Sequence, residues 1–351
     1  MWLFIGVFLA AFLVTFGLVP TVARLALLIG AVDNPNRRKV HEFPTPRLGG
    51  VAIYIGFLVA MGTAVILAAL LNRHLNLNIF FGILFGGTIL VLLGIIDDMR
   101  GLTPWVKFLF QFLAAAIAFG YGIRIEWLTN PFDSLITLGI FAIPITLLWV
   151  VGITNAVNLL DGLDGLAAGV TAIASATLFL VALRTHQVDA AIYMIALAGC
   201  ALGFLRYNFN PASIFLGDSG SLFLGFILAC SSVAGVLKST ILVALIIPIL
   251  ILGIPIYDTA SVIIRRVSSR QPVFSADKRH LHHRLLKAGF TQRQAVLAIY
   301  GACVLLSLAA LAFAWLSLQL ALIISATLLV IFFIAIVRIK AYIRRSAEVA
   351  I

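Results

Sequence analysis

Charged side chains are scarce in this sequence, and long polar segments are missing from it. Of the 351 residues, 63% are hydrophobic and only 11% are Asp, Glu, Lys or Arg. No water-soluble core could hide that much apolar surface, which excludes an ordinary soluble enzyme and a separate soluble domain. The chain is therefore predicted to lie in a lipid bilayer as a single polytopic domain, residues 1–351.

Cysteine is also rare, and targeting and nucleic-acid motifs are absent. Cys200, Cys230 and Cys303 lie in apolar stretches without the spacing of metal ligands, so they are predicted to be buried small residues. The first charge is Arg24, beyond an apolar run too long for a signal peptide, which predicts a retained first span. A net charge of +11 without an RNA- or DNA-binding motif favours anionic lipids and phosphorylated substrates, and no nucleic acid partner is expected.

Apolar stretches long enough to cross a bilayer as a helix recur along the whole chain. They predict an all-α polytopic integral membrane protein with about 11 transmembrane helices. Pro248, Gly253 and Pro255 predict a bend in the ninth of these spans. The predicted spans are 2–29, 48–71, 78–96, 104–122, 134–152, 165–184, 188–205, 219–237, 239–264, 294–316 and 319–339.

Lys and Arg are distributed unequally between the alternating loops. With the N-terminus outside, only Arg73, Arg124, Arg184 and Lys238 lie on the outer side, and the other 20 of the 24 face the cytoplasm. Because cytoplasmic loops carry the excess of positive charge, the N-terminus is predicted outside and the C-terminus inside. Four polar clusters then share the cytoplasmic face, which is where we predict the active site.

The first cluster is the pair Asp97 and Asp98, which directly follows the third apolar span. The pair is either a solvated helix end or a site where a carboxylate holds Mg²⁺ or acts as a base beside it. Lys107, ten residues after Asp97, either neutralises a phosphate or places its ammonium group at the membrane interface.

The second cluster is the run from Asn155 to Gly165, predicted as a loop between two spans. Asn155, Asn158, Asp161 and Asp164 recur every three residues, which on a helical turn would project all four to roughly the same side. The run lacks the ligand order of an EF-hand, and a plain polar connector is the alternative to a functional loop.

The third cluster is Phe215-Leu-Gly-Asp218-Ser-Gly-Ser221, where one acid lies between glycines at the start of a span. Glycine lets backbone approach a ligand, although a simple helix N-cap at Asp218 or Ser219 is the alternative.

The fourth cluster is part of the basic, His-rich loop 265–293 and runs Lys278-Arg-His280-Leu-His282-His283-Arg284. Leu281, Leu285 and Leu286 fall on one face, which predicts a short helix that Ser275 can cap at its start and Gly289 at its end. The three His residues and the cations beside them indicate a transition-metal site, a pyrophosphate-binding site or a solvated basic surface, and no suitable cysteine is available for zinc.

Together, these clusters in this order resemble the polyprenyl-phosphate N-acetylhexosamine-1-phosphate transferase family (glycosyltransferase 4 type) over essentially the whole chain. The resemblance includes Pro44-Thr-Pro-Arg-Leu-Gly-Gly50. It implies transfer of a sugar-1-phosphate from a UDP-sugar to a polyprenyl phosphate, with Mg²⁺ as cofactor, or Mn²⁺ in its place, and UMP as product. It also implies a multi-pass protein of the bacterial inner (plasma) membrane, and it leaves a homodimer open.

The resemblance assigns roles to the matching positions. Asp97 and Asp98 match the catalytic aspartate pair, Lys107 the phosphate-binding lysine, and Asp218 the metal-binding aspartate, with Asn158 as a second ligand. Phe215 looks like the position that stacks on uracil. The remaining predicted substrate contacts are Asn155, Asp161, Asp164, His280, His282, His283 and Arg284.

The His-rich segment distinguishes two branches of that family. The branch that makes the first lipid intermediate of peptidoglycan carries three consecutive His followed by Phe-Glu, whereas this chain reads His280-Leu-His-His-Arg284. Its Pro-Arg-Leu-Gly-Gly segment likewise resembles the bacterial branch that uses UDP-GlcNAc and undecaprenyl phosphate. The alternatives are a phospho-N-acetylmuramoyl-pentapeptide transferase and, from another class, an ion-coupled membrane transporter.

Overall fold

The secondary structure is almost entirely helical. The structure, a computed structural model, describes residues 1–33, 44–130, 134–235, 246–270 and 280–349. Its helices are α1 Trp2–Leu28, α2 Gly49–Leu70, α3 Leu77–Arg100, α4 Pro104–Gly120, α5 Ala142–Leu160, α6 Leu166–Arg184, α7 Val188–Asn208, α8 Gly217–Gly235, α9 Ile246–Ile251, α10 Gly253–Ser268, α11 Leu281–Lys287, α12 Gln292–Trp315 and α13 Leu318–Val349. Two antiparallel pairs complete it, β1 Val32–Asp33 with β2 Thr45–Pro46 and β3 Trp127–Asn130 with β4 Ser134–Thr137.

Within these described ranges, eight helices are long and apolar enough to cross a membrane. They are α1, α2, α3, α6, α7, α8, α12, and α5 together with the 3₁₀ turn at Gly139–Phe141 before it. Pro104–Gly120 and Leu318–Ile334 are shorter apolar helical segments. The prediction of an all-α polytopic membrane protein is therefore confirmed, whereas the count of eleven spans and their orientation remain predictions.

The predicted fifth span, 134–152, is wrong in its position. Residues 134–137 form strand β4, and the helix that follows runs from Ala142 to Leu160. The error has a physical cause, because hydropathy alone does not distinguish an apolar strand such as Ser-Leu-Ile-Thr from the start of an apolar helix. The shift matters for function since it places Asn155 and Asn158 inside a helix.

The predicted ninth span is interrupted where the sequence suggested a bend. Helix α9 ends at Ile251 and α10 begins at Gly253, while residues 236–245 lie outside the described ranges. Leu252, at the junction, has non-ideal helical angles, φ −93° and ψ 15°.

The predicted short helix near residue 280 is present as α11. Its leucines Leu281, Leu285 and Leu286 pack against the buried cluster that includes Val296 and Ile299. Gly289, with φ +91°, follows its end as expected. Ser275, the expected cap, lies outside the described residues, and the helix itself begins later, at Leu281.

Helix α8 is the centre of the bundle. Every residue of α8 except Asp218 is buried, and the helix packs against α3 and α5. The Phe223 ring makes edge-to-face contacts with Tyr54 and Phe57 of α2, each with ring centroids 5.5 Å apart. Such pairs add to the packing between helices that holds a bundle together in lipid, where apolar burial alone offers little.

Glycines bring the start of α8 against the backbones of α2 and α3. A Cβ at Gly50 would lie 2.0 Å from the backbone nitrogen of Gly220, and one at Gly94 would lie 2.3 Å from the Cα of Ser219. No side chain fits in those spaces. The N-terminus of α8 is thus fixed between α2 and α3 by direct backbone contact.

Gly94→Ala should therefore destabilise the protein, because its methyl group would collide with backbone that cannot rotate away. Overpacking of this kind typically costs about 1–3 kcal/mol. Gly62→Ala is the matched control, since nothing lies within 4 Å of a Cβ there. Thermal unfolding in detergent should show a lower midpoint for Gly94→Ala only; equal midpoints would contradict the close contact.

Candidate active site

Asp97 and Asp98 lie in the last turn of α3, not in a loop after it. The helix continues to Arg100 and ends at Gly101, which has φ +69°. Consecutive residues on a helix point about 100° apart, so the two carboxylates reach different partners. The two residues therefore make separate sets of contacts.

The Asp98 carboxylate binds the start of α8. It is buried, and it accepts hydrogen bonds from the Asp218 backbone N–H at 2.9 Å, the Ser219 N–H at 3.1 Å and the Ser219 hydroxyl at 2.9 Å. A carboxylate at a helix N-terminus satisfies backbone donors that have no partner within the helix. Gly217, with φ +71°, makes room for it, because a Cβ there would lie 2.5 Å from Asp98 Oδ2.

The Asp97 carboxylate faces a cation and a second carboxylate. Lys107 Nζ, from the first turn of α4, lies 2.6 Å from Asp97 Oδ2 and 2.5 Å from Asp218 Oδ2. Asp97 Oδ1 also accepts the Leu102 N–H at 2.6 Å. All three side chains are partly accessible, so this bridge between α3, α4 and α8 can be reached by a ligand.

Asn155 and Asn158 lie on the last turns of α5, which corrects their prediction as loop residues. Asn158 Nδ2 donates to the Ser221 hydroxyl at 2.8 Å, and that hydroxyl donates to the Gly217 carbonyl at 3.0 Å. This orientation presents the carbonyl oxygen of Asn158, the atom that can bind a metal ion, away from Ser221. Ser221 is one turn after Asp218, so Asn158 lies beside the start of α8.

Asn155 has a different environment. Its amide pairs with the amide of Gln111 on α4, which is buried, and also donates to the Val151 carbonyl at 3.0 Å. Gln111 was missed from the sequence, although it is the only polar residue besides Lys107 between Pro104 and Gly120. The amide pair fixes α4 against α5 one turn away from Lys107.

The run from Asp161 to Gly165 is a turn, and it gives its two acids, Asp161 and Asp164, different surroundings. Asp164 Oδ2 accepts hydrogen bonds from Asn210 Nδ2 at 3.0 Å and the Ala212 N–H at 3.1 Å. Gly165, with φ +79°, accepts the Tyr300 hydroxyl at 2.5 Å. The expectation that all four polar residues of the run project to one side is wrong, because the helix ends at Leu160 and the chain then reverses.

The electrostatic environment of Asp161 is dominated by other carboxylates. Burial, then the negative charges of Asp218 and Asp98, raise the pKa of Asp161 to about 8, with Arg47 acting in the opposite direction. Its surroundings therefore hold more negative than positive charge. A cation that arrives at this place would stabilise the ionised form.

The described part of the His-rich segment also reaches this turn. His282 is buried, and a Cβ at Gly162 would lie 2.3 Å from its Nε2. Burial, followed by the positive charge of His283, lowers the pKa of His282 to about 4. His283 is partly buried and Arg284 is exposed, while Lys278 and Arg279 lie outside the described residues.

His280 does not face the turn directly. Its Nδ1 lies 2.9 Å from Asp258 Oδ2 of α10, and both residues are buried. Asp258 was missed from the sequence, although it is the only charged residue of the predicted span 239–264. An isolated acid in an apolar span is itself a signal of function.

Phe215 is fixed by its backbone to the segment before α2. Its N–H donates to the Pro46 carbonyl at 2.8 Å, and its carbonyl accepts the Gly49 N–H at 3.0 Å. The side chain is partly buried. The Pro44–Gly50 segment and the start of α8 thus form one unit, which also carries Arg47, 3.5 Å from Asp33.

The donor set suits a hard divalent cation completed by substrate oxygens. Asp218 at the start of α8 offers a carboxylate, and Asn158 of α5, which contacts Ser221 one turn further along α8, offers a carbonyl oxygen. Both are ligand types that Mg²⁺ prefers. Among the described residues, no group of three or more His, Cys, Asp or Glu side chains could hold a metal ion by itself. Mg²⁺ sites that include substrate phosphates commonly have only one or two protein carboxylates.

Comparison with known proteins identifies the family to which this chain belongs. A family model described as glycosyl transferase family 4 matches residues 80–236, the part that contains α3 to α8. The chain is 43% identical over 294 residues to a probable undecaprenyl-phosphate N-acetylglucosaminyl 1-phosphate transferase of Bacillus subtilis, covering 84% of this chain and 80% of that protein. The chain belongs to glycosyl transferase family 4.

Two further relatives have different names and a lower sequence identity to this chain. A decaprenyl-phosphate N-acetylglucosaminephosphotransferase of Mycobacterium leprae is 38% identical over 314 residues, covering 83% of this chain and 79% of the relative. A phospho-N-acetylmuramoyl-pentapeptide-transferase of Halalkalibacterium halodurans is 35% identical over 272 residues, covering 73% of this chain and 79% of the relative. Membership of glycosyl transferase family 4 makes this protein a multi-pass membrane transferase.

The buried His282 should make the protein less stable in acid. Its pKa near 4 lies below the ordinary value of 6.5, so the unfolded chain binds the proton more readily, and stability falls as pH drops from about 6.5 towards 4. His282→Gln should lose less of its thermal midpoint between pH 7 and pH 5 than the wild type. His74→Gln, at an exposed position, is the control. Parallel wild-type and His282→Gln curves would contradict the assignment.

Proposed function

We propose that this protein transfers GlcNAc-1-phosphate from UDP-GlcNAc to undecaprenyl phosphate at the cytoplasmic face of a bacterial plasma membrane. The products are undecaprenyl-diphospho-GlcNAc and UMP, which makes this the first membrane step of a cell-envelope polysaccharide. The observation that carries the proposal is the bridge of Asp97, Lys107 and Asp218 across three helices. Similarity to the Bacillus subtilis protein supports the choice of substrates.

The location of the acids suits a lipid phosphate and a nucleotide sugar that meet at an interface. Asp97 lies near the end of α3, Asp161 follows the end of α5, and Asp218 is the second residue of α8. Transporter sites tend to lie near the bilayer midplane on broken helices. Carboxylates at helix ends favour the transferase over the ion-coupled transporter.

The transfer joins the lipid phosphate to the sugar phosphate. A phosphate oxygen of the acceptor attacks the β-phosphorus of the donor, and the bond from that phosphorus to the bridging oxygen breaks, so UMP leaves with the bridging oxygen. A Mg²⁺ ion held by Asp218 and Asn158 would supply positive charge for the pyrophosphate oxygens. Mn²⁺ has the same preference for these oxygen donors.

Lys107 and Asp97 act together on the acceptor. A phosphate monoester is largely ionised near neutral pH, so it is attracted to the Lys107 ammonium group. Asp97 holds that group at 2.6 Å and can accept a remaining proton of the acceptor. If transfer occurs in two steps through an aspartyl phosphate, Asp97 is the nucleophile, because the Asp98 carboxylate is buried and occupied by three donors.

The donor contacts are distributed over the remaining predicted positions. Phe215 would stack on uracil, and His283 and Arg284 lie at the accessible side of α11, where they would contact the sugar and phosphates. Asp161 is close enough to Asp218 for the two charges to interact, and the neighbouring Gly162 contacts His282. Asn155 and Asp164 support the site through Gln111 and Asn210.

The peptidoglycan branch is the second candidate, favoured by the similarity to the pentapeptide transferase of Halalkalibacterium halodurans. Purified protein with undecaprenyl phosphate and Mg²⁺ should release UMP from UDP-GlcNAc and much less from UDP-muramoyl pentapeptide. Asp218→Asn, which replaces an anionic ligand oxygen without changing volume, should abolish the release while its thermal midpoint is unchanged. A preference for the pentapeptide donor would reassign the branch, and release of UMP from neither donor would refute the transferase.

The proposed orientation has its own test. Ser269, which is exposed just after α10, should lie in the cytoplasm. In a variant with Ser269→Cys, an impermeant thiol reagent should react only after the membrane is opened, because the natural cysteines are buried. Labelling of intact cells would place the site on the opposite face.

A further inference from the structure

The buried acid of α10 contacts the start of α11 at two points. One oxygen of Asp258 accepts the Leu281 backbone N–H at 2.7 Å, and the other lies 2.9 Å from His280 Nδ1. Asp258 is 2% exposed and His280 is 7% exposed. With a carboxylate as acceptor, the His280 ring carries its hydrogen on Nδ1, so its orientation and tautomer are both set by Asp258.

A continuous set of contacts leads from this anchor to the candidate active site. The rings of His280 and His282 lie nearly parallel, with an interplanar angle of 4° and centroids 5.7 Å apart. His282 in turn packs against Gly162, which lies in the turn that carries Asp161. The same short helix presents Arg284 on its exposed side. Loss of the Asp258 carboxylate would thus disturb the position of α11 directly and that of Asp161 only through α11.

We infer that Asp258 is a positioning residue for nucleotide-sugar binding, which acts by docking α11 through His280 and the Leu281 N–H. The inference rests on the proposed function for its substrate. It goes beyond that function in giving His280 the role of an anchor, held below the surface, while His283 and Arg284 face the donor. It also assigns a role to an acid that contacts neither Asp97 nor Asp218 in the described structure.

The kinetic test compares donor and acceptor constants. Asp258→Asn should raise the KM for UDP-GlcNAc by about tenfold or more, as expected for loss of a buried charged hydrogen-bond partner. The KM for undecaprenyl phosphate and kcat should change much less, because Asp97 and Lys107 are untouched. Asp189→Asn is the matched control, since Asp189 is a partly buried acid of α7 whose carboxylate accepts the Asn76 N–H.

Variants of His280 separate anchoring from direct contact with substrate. His280→Asn keeps a nitrogen donor near the position of Nδ1, so it should retain most of the affinity for UDP-GlcNAc. His280→Leu should lose affinity as Asp258→Asn does, and the double variant Asp258→Asn with His280→Leu should be no worse than either single one. Equal losses in His280→Asn and His280→Leu, or additive losses in the double variant, would overturn the anchor.

A labelling test reports on α11 without any substrate. Leu285 is partly buried on the packed face of α11, and Leu285→Cys should react slowly with a thiol reagent in the purified protein. Adding Asp258→Asn should raise the rate several-fold, and adding Asp189→Asn should not. Equal labelling rates and equal KM values for the Asp258→Asn and Asp189→Asn variants would overturn the inference. If wild-type protein releases no UMP but Asp258→Asn still speeds labelling, the proposed function fails and the docking of α11 stands.

Discussion

The site depends on one interaction, the contact between the Asp98 carboxylate and the N-terminus of α8. Three donors at the start of α8 converge on this buried carboxylate. The contact fixes the end of α3 to the start of α8, and by doing so it determines where Asp97 and Asp218 lie. Gly50, Gly94 and Gly217 serve the same contact, because side chains there would overlap with backbone or with the carboxylate.

The apolar surroundings explain why the charges are arranged in this way. A carboxylate in a bilayer is costly unless it has partners or water. The chain meets that requirement at helix ends, where Asp98 has backbone donors, Asp97 and Asp218 share Lys107, and Asp164 has Asn210 and the Ala212 N–H. Burial, followed by the negative charges of Asp218 and Asp98, raises the pKa of Asp161. A divalent cation bound nearby would stabilise the ionised form of Asp161 and lower its pKa again.

Much of this could be predicted from the sequence, because hydropathy reports bilayer burial and because acids in apolar spans are conspicuous. Sequence patterns predicted the helical class, the bend in the ninth span and the helix near residue 280. Together with the resemblance to the family, they also predicted the grouping of Asp97, Asp98, Lys107 and Asp218. The partners of single polar residues were not predicted. The pairs Gln111 with Asn155 and Asp258 with His280 join residues 44 and 22 positions apart, and no local spacing indicates which residues meet. The period of three from Asn155 to Asp164 misled because helix α5 ends at Leu160, so Asp161 and Asp164 are not on the helix that carries the two asparagines.

The attachment of α11 has a consequence for how such enzymes diversify. The groups that we propose to act on the phosphates belong to α3, α4 and α8, which lie almost entirely within the stretch matched by the family model, residues 80–236. The helix that carries Arg284 is instead fastened to α10, beyond that region. If α11 contacts the donor as proposed, substitutions in α10 and α11 would change which sugar donor is accepted while the phosphate chemistry is preserved. This modular construction offers a physical route by which relatives named for GlcNAc and for muramoyl pentapeptide donors share one catalytic framework.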